Sequence, residues 1–169
     1  NGDRSAAAEA YCKATEADHH SSTAALAGAR LLRMMGEWRN AASLLENFAR
    51  DYQGEDKIAL AEIHHQLARL QAGPLENLEA AILSYRSALQ SHPDLQAAQE
   101  SLAELLAQRP ADWEEAITRH RELLAKNPVR VASLRALIQI ALGRRHFQAA
   151  ENGQAILRAL GALGPDDRE

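Results

Sequence analysis

Small, apolar and polar positions recur along the chain with the spacing of an α-helix. In five segments a small residue is followed by a larger residue four positions later and by an apolar residue seven positions later. Positions i, i+4 and i+7 lie on one face of a helix. The first residues of these segments, at intervals of 34, 40, 35 and 34 residues, are Ala7, Ala41, Ala81, Ala116 and Ala150. Repeats of about this length are typical of stacked helical hairpins.

Residues that break or cap helices divide the chain into nine predicted helices. We expect Ser22 to cap the second helix and Pro74 to lie in the first turn of the fifth. Asp112 is the predicted N-cap of the seventh helix, with Glu115 as its capping-box partner. The predicted helices are about 5–18, 22–35, 38–52, 57–71, 74–91, 95–108, 112–127, 131–142 and 147–160. Loops of two to six residues between such helices predict antiparallel hairpins.

With these residues in place, the sequence resembles the tetratricopeptide repeat (TPR) family. The second helix of that repeat carries a small residue, an aromatic residue four positions later, alanine at seven and proline at twelve. All four are matched by Ala81, Tyr85, Ala88 and Pro93. A partial match to the same helix is Ala116-His120-Leu123-Pro128. The turn and the start of the second helix are matched by Gly36-Trp38-Ala41 and Phe147-Ala150, and the Leu-small pair of the first helix by Leu67-Ala68 and Leu102-Ala103. The last hairpin has no glycine at the usual turn position, and the nearest is Gly143.

The resemblance implies an all-α fold, a right-handed α-solenoid that forms a single domain over 1–169. Its expected parts are an orphan second helix at 5–19 and repeats at 22–53, 55–93, 94–128 and 129–162. The first helix has no first-helix partner, His19 stands where proline is usual, and residue 1 is Asn. We therefore expect the chain to be a segment of a longer protein, with the tail 166–169 frayed or continuing into it.

Composition agrees with an all-α fold and narrows the range of partners. Aromatic residues are 4% and hydrophobic residues 46% of the chain, so the core must consist mainly of the helix formers Ala and Leu. A net charge of −4 argues against a nucleic-acid partner. No apolar run approaches the ~20 residues of a membrane helix, so membrane insertion is not expected. The Ala-, Leu- and Arg-rich composition favours a bacterial source.

Cys12 is the only cysteine, which excludes an internal disulfide and a cysteine-based zinc site. The lack of an internal disulfide fits a cytoplasmic location and does not exclude a periplasmic one. We expect Cys12 to be a half-buried packing residue rather than a nucleophile. Trp38 and Trp113, at the starts of second helices, are expected to pack within their hairpins.

The family resemblance implies a non-catalytic scaffold that binds a protein or peptide of unknown identity in a concave groove. The predicted groove residues are Arg30, Arg33, His65, Arg69, Glu100, Glu104, Arg135 and Gln139, together with Thr23, Leu26, Glu62, Ala72, Ala97 and Leu142. A groove with separated basic and acidic ends suits a peptide of complementary charge. The alternative is that these charges are simply the solvated face of each helix. The groove set lacks the Lys/Asn cluster with which some family members bind chaperone C-termini, which argues against that partner.

Two further functions remain open on the sequence alone. The pairs Glu16-x-x-His19 and Glu62-x-x-His65 match the spacing used by di-iron helical bundles, which would make the chain a metal-dependent enzyme. The second function is that of a structural spacer that self-associates through its terminal helices. We predict no catalytic residue, no cofactor and no metal site.

Overall fold

The computed structural model describes the backbone of residues 2–162 and the side chains of residues 6–15 and 17–162. Within that range it contains nine α-helices, as predicted, together with one 3₁₀ turn at Pro110–Asp112, and no strand. The helices are α1 Gly2–Ala17, α2 Ser22–Met34, α3 Trp38–Asp51, α4 Lys57–Ala72, α5 Leu78–Ser91, α6 Gln96–Ala107, α7 Trp113–Lys126, α8 Val131–Gly143 and α9 Phe147–Ala159. None of the described helices is long and apolar enough to cross a membrane.

Two helices begin at a side-chain cap. The Asp56 carboxylate accepts hydrogen bonds from the Ile58 and Ala59 amides at the start of α4, each at 2.9 Å. The Asn77 side chain accepts from the Ala80 amide at 3.2 Å and so begins α5. Each cap satisfies a backbone N–H that has no partner within the helix.

Three of the predicted helix-start details are wrong. Ser22 is the first residue of α2 rather than its cap, and Pro74 lies in the turn before α5. The capping box of α7 does not form, because both carboxylates pair with arginines. The Asp112 Oδ2 atom lies 2.8 Å from Arg109 Nε, and Glu115 Oε1 lies 2.8 Å from an Arg119 guanidinium nitrogen.

A left-handed residue turns the chain between the helices of a hairpin. After α2, Gly36 has φ +77°, and the Glu37 amide donates to the Leu32 carbonyl at 2.9 Å. This is the Schellman arrangement, in which a glycine commonly takes the left-handed position. After α8 the same hydrogen-bond pattern forms around Arg145, which has φ +60°.

The last turn has Arg145 rather than glycine at its left-handed position, and the nearest glycine, Gly143, lies two residues earlier. A Cβ added at Gly143 would overlap the Trp113 ring, so a larger residue there would displace that indole. Trp113 also donates from Nε1 to the Ala107 carbonyl at 2.9 Å. Trp113 therefore packs within its hairpin, as predicted, and the turn position itself is left to Arg145.

Replacing Arg145 with glycine should stabilise the protein by about 0.5–1 kcal/mol, because a left-handed backbone is strained in a residue with a Cβ. Chemical denaturation of the wild type and Arg145→Gly measures the change. The reverse substitution at the equivalent turn, Gly36→Ala, is the matched control and should destabilise by a similar amount. A loss of stability in Arg145→Gly would contradict this account of the turn.

The chain forms two compact units, the first ending at Ala98 and the second beginning at Gln99, within α6. In the first unit α2 packs on α1, α3 and α4, and α4 packs on α3 and α5. In the second unit α8 packs on α7 and α9. The repeat boundaries derived from the sequence remain predictions.

Small residues lie where helices approach closely. A Cβ added at Gly28 in α2 would lie 2.9 Å from Leu44 Cδ2 and 3.0 Å from Tyr11 Cβ. Of the small positions identified from the repeat, Ala7 is half-buried, and the other four are fully buried, namely Ala41, Ala81, Ala116 and Ala150. Since any larger side chain there would push helices apart, the spacing read from the sequence corresponds to real packing contacts.

Candidate functional site

A cavity of about 530 Å³ opens between α2 and α4 in the first unit. Its lining combines basic, polar and apolar side chains from α2, α3 and α4. These are Leu26, Ala29, Arg30, Arg33, Met34, Trp38, Leu45, Glu62, Gln66 and Arg69. We call it the α2–α4 cavity.

Helical spacing brings these side chains to one place. The α2 residues Leu26, Arg30 and Arg33 recur every three or four positions, so they line a single face. Glu62, Gln66 and Arg69 do the same on α4. The turn at Gly36 returns the chain so that α3 contributes its first residue, Trp38, to the same cavity.

A row of hydrogen bonds crosses the cavity and links α2 to α4. Arg33 donates from Nη1 to Gln66 Oε1 at 3.1 Å, and Gln66 donates from Nε2 to Glu62 Oε1 at 2.7 Å. The row fixes the Arg33 guanidinium before any ligand arrives, which lowers the entropy lost on binding.

Arg30 and Arg69 are exposed at the cavity, and among the described residues neither guanidinium has a hydrogen-bond or ion-pair partner. The cavity lining carries three arginines and one carboxylate, Glu62, so it is positively charged. A guanidinium offers paired N–H donors that match a carboxylate, so this charge favours an acidic ligand.

His65 is not a groove residue, which corrects the prediction made for it. It is only 7% exposed, and its ring centroid lies 6.0 Å from that of Tyr85 on α5. Burial lowers the pKa of His65, and the nearby Glu62 carboxylate, 3.6 Å from Nδ1, partly opposes that shift. Gln66 lies one position later, about 100° round the helix, and lines the cavity in its place.

Two of the four predicted residues of the second unit make hydrogen bonds within that unit. Glu100 accepts a hydrogen bond from Arg130 Nη1 at 2.6 Å, and Arg135 donates to the Ala162 carbonyl at 2.9 Å. Glu104 and Gln139 are exposed. A ligand-binding role for these four residues stays a prediction.

Sequence reasoning missed two exposed apolar residues at the α2–α4 cavity. Met34 is 57% exposed and Trp38 is 39% exposed, and both line it. Trp38 therefore does more than pack within its hairpin. Trp38 could have been singled out from the sequence, because the chain has only two tryptophans.

The residues of the metal-enzyme alternative are only partly described. The Glu16 side chain lies outside the described residues. Among the described side chains, no three His, Cys, Asp or Glu residues form a group that could hold a metal ion. Cys12 is half-buried, as predicted.

No protein-family model and no curated protein matches the chain. Solved structures do match. One is the crystal structure of YrrB, described as a TPR protein with an unusual peptide-binding site. It is 16% identical to this chain, with a TM-score of 0.71, and the match covers 91% of this chain and 76% of the YrrB chain. Two structures of MamA are each 18% identical, with TM-scores of 0.65 and 0.66; they cover 94% and 96% of this chain and 92% and 88% of their own. The predicted fold class is thus confirmed: the chain has the TPR-like fold, an all-α solenoid of antiparallel helical hairpins.

Proposed function

We propose that the protein is a non-catalytic scaffold whose first unit binds an acidic peptide segment of a partner protein in the α2–α4 cavity. One observation carries the proposal: three arginines and two exposed apolar side chains surround a single cavity. Surface arginines alone would be expected to lie dispersed on a solvated face. Here they share a concave site with Met34 and Trp38.

The dimensions of the cavity suit a peptide side chain with a neighbouring carboxylate. A volume of about 530 Å³ is within the roughly 300–1,000 Å³ range of ligand cavities. Trp38 and Met34 can cover an apolar ligand side chain, while Arg30 and Arg69 bind acidic groups at the rim. Tryptophan and arginine are the residue types that most often dominate binding energy.

The fold and the composition support a place for this scaffold within a larger bacterial protein or assembly. YrrB, which has a similar fold, is described as having a peptide-binding site. A scaffold of this kind acts by holding a partner, so we place the protein within a larger bacterial protein or assembly. The Ala-, Leu- and Arg-rich composition supports a bacterial origin.

Charge reversal in the cavity tests the proposal. Peptides selected from a random dodecapeptide library on the immobilised protein should be acidic. Arg30→Glu and Arg69→Glu should each weaken their binding about 10- to 100-fold, because each removes a charge-assisted pair and adds repulsion. Fluorescence polarisation measures the affinities, and circular dichroism confirms that the helices persist.

Arg121→Glu is the matched control, because it makes the same charge change at an exposed position on α7, in the second unit. It should leave peptide binding within about twofold. If Arg121→Glu weakened binding as much as Arg30→Glu, general charge attraction rather than the cavity would be responsible. Peptides that bound equally well to all variants would refute the proposal.

A further inference from the structure

A second cavity of about 560 Å³ lies on the other side of α2, against α1. Its lining is mainly apolar, and Arg30 is the one charged residue among the described side chains that line it. The lining residues are Tyr11, Thr23, Leu26, Ala27, Arg30, Leu31 and Met34. We call it the α1–α2 cavity.

The two cavities adjoin each other over α2. They share Leu26, Arg30 and Met34, which form the ridge between them. Met34 on the ridge and Tyr11 on the far wall are large apolar side chains, exposed by 57% and 37%. An exposed apolar patch with a polar rim is typical of an interaction site.

From this adjacency, and resting on the proposed function, we infer that the ligand is a segment with two apolar side chains and an acidic residue between them. One apolar side chain occupies each cavity, and the ligand backbone crosses α2 over Met34. The acidic residue binds Arg30, the only charged residue common to both cavities.

Helix geometry sets the separation of the two apolar side chains. A helix with its side chains is about 10–12 Å across, so the two cavities are separated by roughly that distance. An extended chain rises about 3.3 Å per residue. Because successive side chains of an extended chain point to opposite faces, the two apolar residues of such a ligand should be four positions apart.

Charge sets the orientation of the ligand. Arg33 and Arg69 line the α2–α4 cavity, and among the side chains that the structure describes no acidic residue lines the α1–α2 cavity. A second ligand carboxylate is therefore favoured on the α4 side. The end of the ligand near α1 is expected to be uncharged and apolar.

Filling the α1–α2 cavity isolates its contribution. Thr23 is exposed and lines that cavity alone, so in Thr23→Trp the indole can occupy the cavity without entering the core. Tyr11→Ser is a second variant, which removes the apolar wall instead of filling the space. Ser43→Trp, at an exposed position on α3 away from both cavities, is the matched control.

The test uses the dodecapeptides selected on the wild-type chain, with affinities from fluorescence polarisation. We expect the selected sequences to carry two large apolar residues four positions apart with an acidic residue between them. Thr23→Trp and Tyr11→Ser should weaken their binding about 10-fold or more, while Ser43→Trp changes it less than about twofold. Truncating the peptide to one apolar residue should remove the sensitivity to Thr23→Trp.

Other outcomes separate this inference from the proposed function. If binding depends on Arg30 and Arg69 but is unchanged in Thr23→Trp and Tyr11→Ser, the α2–α4 cavity acts alone and the two-cavity inference is wrong. If binding depends on none of these residues, both the inference and the proposed function are wrong.

Discussion

Acidification from pH 7.5 to 5.5 should destabilise the folded protein by up to about 1.4 kcal/mol for each buried histidine. Burial lowers the pKa of His65 and His120, and to some extent that of the partly buried His64, below the ordinary value of about 6.5. Below that value the unfolded chain binds more protons than the folded chain. Stability is therefore complete above pH 6.5 and decreases as the pH falls through 6.5 towards the lower pKa values of the folded state.

His120 offers the clearest test of this effect. It is 1% exposed, and its Nδ1 atom lies 3.2 Å from Ser133 Oγ, which is also buried. Burial is the main cause of its lowered pKa, and Arg130 contributes in the same direction, whereas the Ala103 carbonyl opposes the shift. Protonation of this ring has to overcome both burial and a neighbouring positive charge.

The repeat itself suggests the substitution that removes the histidine. Residues 85 and 98 precede 120 and 133 by 35 and are Tyr and Ala, so an aromatic–alanine pair already occupies the corresponding positions. His120→Phe alone should destabilise by about 1–3 kcal/mol, because it leaves the Ser133 hydroxyl buried without a partner. Adding Ser133→Ala should restore most of that loss.

Chemical denaturation followed by circular dichroism at pH 7.5 and 5.5 measures both effects. The His120→Phe/Ser133→Ala double variant should lose less stability on acidification than the wild type, by the contribution of one histidine. If the two proteins lost equal stability between these pH values, His120 would not be a source of the acid sensitivity.

Leu157→Ala should destabilise the second unit by about 2–5 kcal/mol, since it leaves a cavity in a small core. Leu157 is fully buried on α9, in a cluster with Leu134, Ile138 and Ala150. Few other side chains are available to fill the space. Hydrogen exchange should show the loss of protection in α8 and α9 first, because units of a repeat protein open locally.

The residue beside Leu157 provides the control. Ile156 is 47% exposed on the same helix, so Ile156→Ala removes a large aliphatic side chain without making a cavity. Its effect should be within about 0.5 kcal/mol. Equal losses of stability in the two variants would show that helix propensity or aliphatic content, rather than core packing, governs the stability of α9.

The number and positions of the helices could be predicted from the sequence, because the small residues that recur at the repeat spacing are those that pack between helices. Ala41, Ala81 and Ala116 were identified from spacing alone, and all three are fully buried. Most helix bounds were within one or two residues. The start of α5 was predicted four residues early, because the proline that suits a first helical turn lies in a turn that Asn77 ends as the cap.

The candidate site could be predicted only in part. Arg30, Arg33 and Arg69 were predicted from helical spacing, and all three line the α2–α4 cavity, while their role in binding a ligand stays a prediction. His65 was chosen where Gln66 lines the cavity. Residues three and four positions after Glu62 both lie near one face of the helix, so spacing alone does not separate them. A shift of one position turns a side chain by about 100°, from the cavity into the core.

The contribution of Trp38 depends on tertiary structure that spacing does not encode. Its position in the hairpin was clear, but its exposure results from the turn at Gly36 and the end of α2. For the same reason the adjacency of the two cavities over Met34 follows from the packing of α1 and α4 on either side of one helix.

The order of helix packing also determines how the chain reaches its native state. Helices of the first unit contact neighbours one or two elements away along the chain, and α8 in the second unit contacts α7 and α9. Few long loops must therefore close before favourable contacts form, and proteins with such low contact order fold in microseconds to milliseconds. A hairpin such as α4–α5 can form early and act as a nucleus onto which adjacent helices are added, so growth of the native structure can begin before distant parts of the chain have folded.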